Sequence, residues 1–202
     1  MIKNIVFDMG GVLIDYNPEK ALYGELDKES ADIALAEIFR NNIWSEKDRG
    51  VVSAEDILAL KGGLIPAHAY EKVAEMVMNL YPFMPPFEET ERIVKRLKSN
   101  GYRIFLLSNA SLDFYDEKKN IPALSYFDGY LISADYKLIK PEKEIYLTLF
   151  SKFNLRPEEC FFIDDVEANC EASRALGMKA FRLQRGDYEG LINALKENGI
   201  VI

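Results

Sequence analysis

Cysteine is scarce in this chain: Cys160 and Cys170 are the two among 202 residues. They form no CxxC metal spacing and do not look like part of a disulfide framework, which fits a reducing, cytoplasmic setting. Basic residues are in deficit, with 25 Lys plus Arg against 33 Asp plus Glu and a net charge of −8. Sequence-independent binding to nucleic acid rests on neutralising phosphates with basic side chains, so no nucleic-acid partner is expected. A small anionic substrate would need positive charge gathered locally. No apolar run approaches the roughly 20 residues that cross a bilayer. A strand pattern starts within a few residues of Met1, without a basic segment followed by an apolar stretch and a cleavage site, so neither secretion nor a membrane partner is expected. Repeats and low-complexity tracts are absent. The single histidine, His68, falls in a helical stretch away from the motifs described below and reads as a surface or packing residue.

Apolar residues make up 49% of the chain, enough for a sizeable core. They recur in short runs: NIVF at 4–7, RIFLLS at 103–108, GYLIS at 129–133, CFFID at 160–164 and KAFRL at 179–183. Between them lie amphipathic helical stretches, FEETERIVKRLKSNG, EKEIYLTLFSKFNL, EANCEASRALGM and YEGLINALKENG. Uncharged strands alternating with helices predict a doubly wound, parallel, Rossmann-like α/β sheet covered on both faces. In such sheets ligands bind at the strands' carboxyl ends.

Residues 16–85 break this rhythm with helical patterns and no clear strand, too long a stretch for an ordinary crossover. PEKALYGEL, SADIALAEIFR, SAEDILALK with Ser53 as N-cap, and AHAYEKVAEMVMNL precede the breaker run YPFMPPF. We expect a small helical domain at 16–85 inserted into a core of 1–15 and 86–202; the alternative is that these helices pack directly on the sheet.

The polar residues at the strand ends carry the chemistry. Asp8 ends the first strand before Gly10 and Gly11, Ser108 and Asn109 end the second, Lys140 follows the third, and Asp164 and Asp165 end the fourth. Singly, each reads as a cap or loop residue. Four consecutive strands ending this way read as a site. Carboxylates gathered within a few ångströms repel one another and call for a cation, and an all-oxygen set suits Mg²⁺. A hydroxyl, an amide and a lysine offer donors and one positive charge to a phosphoryl group. Asp8 would then act as nucleophile, giving an aspartyl-phosphate that water hydrolyses, with Lys140 and Mg²⁺ stabilising the charge on the transferring group.

DMGGVL, LLSN, KP and FIDD, in this order and with these gaps, resemble the haloacid dehalogenase superfamily of hydrolases over essentially the whole chain. The 16–85 insertion resembles that superfamily's first-position cap, and WSEKDRGVVSAED at 44–56 is similar to a cap stretch of bacterial phosphatases of the glucose-1-phosphatase type. The resemblance implies a Mg²⁺-dependent phosphomonoester phosphatase acting on a small phosphorylated metabolite such as a sugar phosphate. In it Asp8 is nucleophile and metal ligand, and Gly10 gives its carbonyl to the metal. Ser108 and Asn109 hold the phosphate, and Lys140 pairs with both phosphate and Asp8. Asp164 is the main distal metal ligand, with Asp165 a second ligand or one acting through water. Gly10 departs from the pattern of most such phosphatases, which carry there a second Asp that protonates the leaving group. Asp15, seven residues past Asp8, reads as a structural or cap-hinge residue rather than as the replacement catalyst. A 2-haloacid dehalogenase uses the same nucleophile without a metal, and the acidic pair argues against it. A receiver-type phosphoacceptor would have the acidic pair first and the lysine last. A catalytically silent phosphate-binding relative is the remaining alternative. In the insertion, Trp44 reads as packing or substrate contact, and Arg49 as a solvated or substrate-facing charge.

Overall fold

The structure is a computed structural model and describes residues 1–202. Five strands form one sheet: β1 (Asn4–Phe7), β2 (Arg103–Ser108), β3 (Gly129–Ile132), β4 (Cys160–Asp164) and β5 (Lys179–Arg182). The helices are α1 (Pro18–Glu25), α2 (Lys28–Ala34), α3 (Asn42–Arg49), α4 (Ala54–Lys61) and α5 (Tyr70–Met78), all between β1 and β2, then α6 (Glu88–Ser99) leading into β2. They continue with α7 (Phe114–Glu117), α8 (Ser133–Tyr136), α9 (Lys143–Phe153), α10 (Glu167–Ala175) and α11 (Tyr188–Glu197).

All pairings are parallel and the spatial order is β3-β2-β1-β4-β5. The chain winds outward from β1 on one side and then crosses to the other, the doubly wound arrangement expected from the alternation of strand and helix. The strand period of two sends neighbouring side chains to opposite faces. Ile5, Phe7, Ile104, Leu106, Phe161 and Ile163 enter one apolar layer, where Ile93, Val94 and Leu97 of α6 and Leu191 and Leu195 of α11 meet them. Val6, Phe105, Leu107, Leu131 and Phe162 enter the other, against Ile145, Tyr146 and Leu149 of α9. With both faces covered, the inner strands are apolar between their end residues. Two strands depart from the uncharged pattern: β2 begins with the exposed Arg103, and Lys179 and Arg182 are exposed on the edge strand β5, where charge deters unwanted pairing.

Register aligns the strand ends. Phe7 stands opposite Leu106 on β2 and Ile163 on β4, so Asp8 and Asp164, each the next residue, lie level on adjacent strands. The Asp8 amide donates to Ile163 O at 2.8 Å, which fixes that level.

Between β1 and β2 the chain makes a helical excursion that leaves and returns side by side. Ile14 bridges antiparallel to Pro86, with Asp15 N to Pro85 O at 2.8 Å and Phe87 N to Leu13 O at 2.9 Å. Its helices start at side-chain caps, as orphan N–H groups of a first turn require: Asn17 accepts from Lys20 N, Asp27 from Ser30 N, and Ser53 forms a capping box with Asp56. Two details differ from the sequence reading. The 30–40 run divides into α2 and a π-helical turn, Leu35–Phe39. Residues 42–49 form α3, capped by Asn41 and closed by Gly50 at φ 77°.

Candidate active site

Asp8, Lys140, Asp164 and Asp165 converge at the carboxyl ends of β1 and β4. Lys140 Nζ lies 2.7 Å from Asp8 Oδ1 and 2.7 Å from Asp164 Oδ2. Asp8 Oδ1 also accepts from Met9 N at 2.6 Å. The Asp164 carboxylate is fully buried and already engaged. Its Oδ1 accepts from Val166 N at 2.8 Å and Asn169 Nδ2 at 3.0 Å, and its Oδ2 from Lys140. Asp165 is half-buried and faces the cavity above the strand ends.

Gly11 makes room for Asp165. Its φ is +68°, and a Cβ there would stand 2.3 Å from Asp165 Oδ2, so both the backbone angle and the close approach require glycine.

One oxygen from each of Asp8, Asp164 and Asp165 falls within 4.8 Å of the others. Three carboxylates around one ammonium leave excess negative charge. Burial raises Asp8 against the pull of Lys140, and Asp164 and Asp165 add to the rise. Asp165 is raised by burial and by Asp164. Burial alone would pull Lys140 down, but Asp164 and Asp8 outweigh it and hold the ammonium above its usual range. An all-oxygen set carrying surplus negative charge fits a hard divalent cation such as Mg²⁺.

Asn109 serves the lysine directly. Its Nδ2 donates to Lys140 O at 3.1 Å and its Oδ1 accepts from Lys140 N at 2.8 Å, pinning the loop that carries the ammonium. Asn109 also lines the cavity. Ser108 is 1% exposed, ends β2 opposite Ile132, and stands outside the cavity lining. Gly10 lines the cavity beneath Tyr16, whose Cβ would lie 3.2 Å from a Cβ at position 10.

The cavity measures about 220 Å³. Its floor is the strand-end cluster, and its opposite wall comes from the helical excursion through Tyr16, Trp44, Lys47, Asp48 and Tyr81. The sequence reading marked Trp44 alone of these five. Trp44 is buried against Phe39, ring centroids 4.5 Å apart, and also borders the cavity, so it serves packing and lining at once. Lys47, buried over the Trp44 ring at 5.1 Å, reaches across to Asp113 Oδ2 at 2.6 Å and Ser111 Oγ at 3.0 Å, beyond β2. Burial pushes Asp48 up to about 7; Lys47 opposes the rise and Asp113 adds to it. Burial likewise raises the Tyr16 and Tyr81 hydroxyls.

Arg49 is neither solvated nor turned to the cavity: it forms a two-pronged pair with Glu142, at 2.7 and 3.0 Å, and donates to Lys137 O. Asp15 lies outside the cavity, where the chain leaves for the helical excursion, held by Arg185 at 2.5 Å and Lys20 at 3.3 Å. His68 is exposed and pairs with Asp27 at 2.9 Å. The missed residues Lys47 and Asp48 follow Trp44 by three and four positions on α3, one helix face, and Asn41 with Gly50 bounds that helix in the sequence.

A family model described as haloacid dehalogenase-like hydrolase matches residues 2–177. A D-ribitol-5-phosphate phosphatase of Bacteroides thetaiotaomicron is 28% identical over 198 residues, covering 92% of this chain and 94% of that protein. A sesquiterpene phosphatase of Aspergillus oryzae is 26% identical over 182 residues, covering 90% and 89%. The crystal structure of a HAD family enzyme from Bacteroides thetaiotaomicron, in complex with magnesium and inorganic phosphate, shares the fold with a TM-score of 0.71 at 23% identity, covering 95% of this chain and 99% of that one.

Proposed function

The chain belongs to the haloacid dehalogenase-like hydrolases, and from that premise we propose that it is a Mg²⁺-dependent phosphomonoester phosphatase of small phosphorylated metabolites, working through an aspartyl-phosphate on Asp8. The observation that carries this reading is the Asp8–Lys140 pair flanked by Asp164 and Asp165 on the floor of a cavity walled by helices. Relatives named as phosphatases along nearly the full chain support it.

Asp8, Asp165 and the Gly10 carbonyl would hold Mg²⁺, with Asp164 beside them. Asp164 already accepts from Lys140, Asn169 and Val166, so we assign it mainly to holding Lys140 and assign the direct contact to Asp165. Bound there, Mg²⁺ supplies positive charge to the phosphoryl oxygens during transfer. Asp8 attacks phosphorus with a carboxylate oxygen and the ester P–O bond breaks. Water then attacks the phosphorus of the aspartyl-phosphate, releasing inorganic phosphate and restoring Asp8. Lys140, fixed by Asn109, balances charge on Asp8 and on the transferring group without moving. Asn109, which lines the cavity at the end of β2, is assigned to the phosphate side, whereas the neighbouring Ser108 stands outside that lining.

Residues 16–85 act in this reading as a cap. A wall that closes over the strand ends excludes water and supplies recognition groups, and a cavity of about 220 Å³ suits a small metabolite. Two buried free cysteines fit a reducing, cytoplasmic setting.

Purified protein should hydrolyse p-nitrophenyl phosphate with Mg²⁺ and lose that activity on chelation and in Asp8→Asn. A panel of sugar, sugar-alcohol and isoprenoid phosphates then identifies the preferred class. Turnover that persists in Asp8→Asn would overturn the covalent route.

A further inference from the structure

We propose that Asp48, on α3, is the general acid that protonates the leaving oxygen and the general base that then activates water. The proposal rests on the phosphatase reading above and identifies the group that its chemistry lacks at the strand ends.

Cleaving an alkyl phosphate expels an alkoxide, so a proton donor is needed at the leaving oxygen. In-line displacement puts that oxygen on the side of phosphorus away from the nucleophile. With Asp8 on the floor, the leaving oxygen points at the helical wall. Gly10 and Gly11, beside Asp8, have no side chain to give a proton.

The ionisable groups around the cavity are Asp8, Tyr16, Lys47, Asp48, Tyr81, Asp113, Lys140 and Asp165. Asp8 is the nucleophile, and Asp165 stands beside it among the metal-side carboxylates. Lys140 is committed to Asp8 and Asp164. Lys47 and Asp113 neutralise one another at 2.6 Å. The Tyr16 and Tyr81 hydroxyls are raised by burial and by the charge of Asp48 itself, so neither gives up a proton readily.

That leaves Asp48, the carboxyl of the helical wall that is not drawn into an ion pair. Its main-chain carbonyl accepts from Ser133 Oγ of α8, which anchors this end of α3 to the core. The charged and titratable groups acting on its carboxyl are Lys47, Asp113, Tyr16 and Tyr81. Burial outweighs Lys47 and pushes Asp48 up to about 7, where a carboxyl both donates and accepts protons at neutral pH.

The two half-reactions balance. As Asp8 bonds to phosphorus and the ester bond breaks, the Asp48 proton passes to the leaving oxygen and an alcohol departs. The Asp48 carboxylate then takes a proton from the water that attacks the aspartyl-phosphate. Phosphate leaves, Asp8 regains its carboxylate, and Asp48 is protonated again.

The test measures kcat/KM of wild type and Asp48→Asn, with Mg²⁺, over aryl phosphates from p-nitrophenyl to phenyl and on to an alkyl phosphate. This quantity reports the steps through phosphoryl transfer to Asp8. A good leaving group needs no proton and a poor one does. Asp48→Asn should fall only a few-fold on p-nitrophenyl phosphate and about a hundredfold or more on the alkyl ester, with a steeper dependence on leaving-group pKa. A near wild-type kcat/KM on p-nitrophenyl phosphate, even where kcat itself falls with loss of the base, shows that the variant is folded. An equal loss along the series, or no loss, overturns the role of Asp48 and leaves the phosphatase reading standing. A wild-type protein inactive on every ester overturns both.

Discussion

Lys140 Nζ sits 2.7 Å from Asp8 Oδ1 with both side chains buried, and it is the one cation among three clustered carboxylates. Removing one partner of a buried pair costs roughly 3–5 kcal/mol, because the other charge is left uncompensated. Lys140→Met should therefore lower stability at pH 7 by about 3 kcal/mol in metal-free buffer and cut phosphatase activity by about a hundredfold or more. Added Mg²⁺ should raise its melting temperature more than that of wild type, since it restores cationic charge. Equal Mg²⁺ shifts in calorimetry would contradict this account.

Asp164 and Asp165 adjoin in sequence and differ in what they already hold. Asp164 accepts from Val166 N, Asn169 Nδ2 and Lys140 Nζ, whereas Asp165 faces the cavity. Asp165→Asn should weaken Mg²⁺ activation at least about tenfold with little change in metal-free stability. Asp164→Asn should lower metal-free stability by about 1–3 kcal/mol, since an amide NH₂ replaces an acceptor facing two donors. Mg²⁺ titrations of activity paired with thermal unfolding separate the two.

Gly11 gives a test of that placement from outside the carboxylates. With φ at +68° and a Cβ position 2.3 Å from Asp165 Oδ2, Gly11→Ala must both strain the turn and displace Asp165. Strain of this kind costs about 1–2 kcal/mol. The variant should show that modest loss of stability together with a rise in the Mg²⁺ needed for half-maximal activity; Gly63→Ala, where a Cβ meets nothing within 4 Å, should show neither.

The floor of the site was legible in the sequence because its parts are local. Asp8 and Asp164 close apolar runs on adjacent strands and parallel register brings them level, while Lys140 joins them from the loop beyond α8. The wall was not legible for a physical reason. Lys47 and Asp48 are charged residues in a charged stretch, and nothing local marks them as half or fully buried; they become so because α3 packs on α8 and the Lys47 chain lies over Trp44. Arg49, the conspicuous charge beside them, instead turns to Glu142. Reading Asn41 and Gly50 as the bounds of a helix would have placed Trp44, Lys47 and Asp48 on one face.

Asp48 also predicts a pH dependence of stability. Its carboxyl is pushed from 3.8 up to about 7 by burial, so the folded protein holds this proton more tightly than the unfolded chain. The contribution is fully present below about 3.8 and is lost as pH rises through about 7. Asp48→Asn keeps a neutral side chain at every pH. Its stability relative to wild type should therefore climb between pH 4 and 7 and level off above, by at most about 4 kcal/mol at roughly 1.4 kcal/mol per unit, and by less because the group borders a water-accessible cavity. A difference flat with pH in denaturant titrations would show that burial does not hold the proton.

Arg49 and Glu142 join the helical wall to the loop just past Lys140. The pair is two-pronged, at 2.7 and 3.0 Å, and Glu142 Oε2 also accepts from Ile139 N at 3.2 Å, so the contact reaches the chain segment that positions the lysine. Its side chains are 22% and 36% exposed, so its net worth to folding is small, about 1 kcal/mol or less. Its worth to catalysis should be larger, because it fixes where α3 sits over the strand ends. Arg49→Met and Glu142→Gln should each reduce kcat/KM several-fold, chiefly through KM, while melting temperatures change little. If the two act as one contact, the double variant should be no worse than either single, which a double-mutant cycle on kcat/KM measures. Raising ionic strength should weaken wild type toward the variants, since a partly exposed pair is screened by salt. Additive losses in the cycle would mean that Arg49 and Glu142 act through separate neighbours.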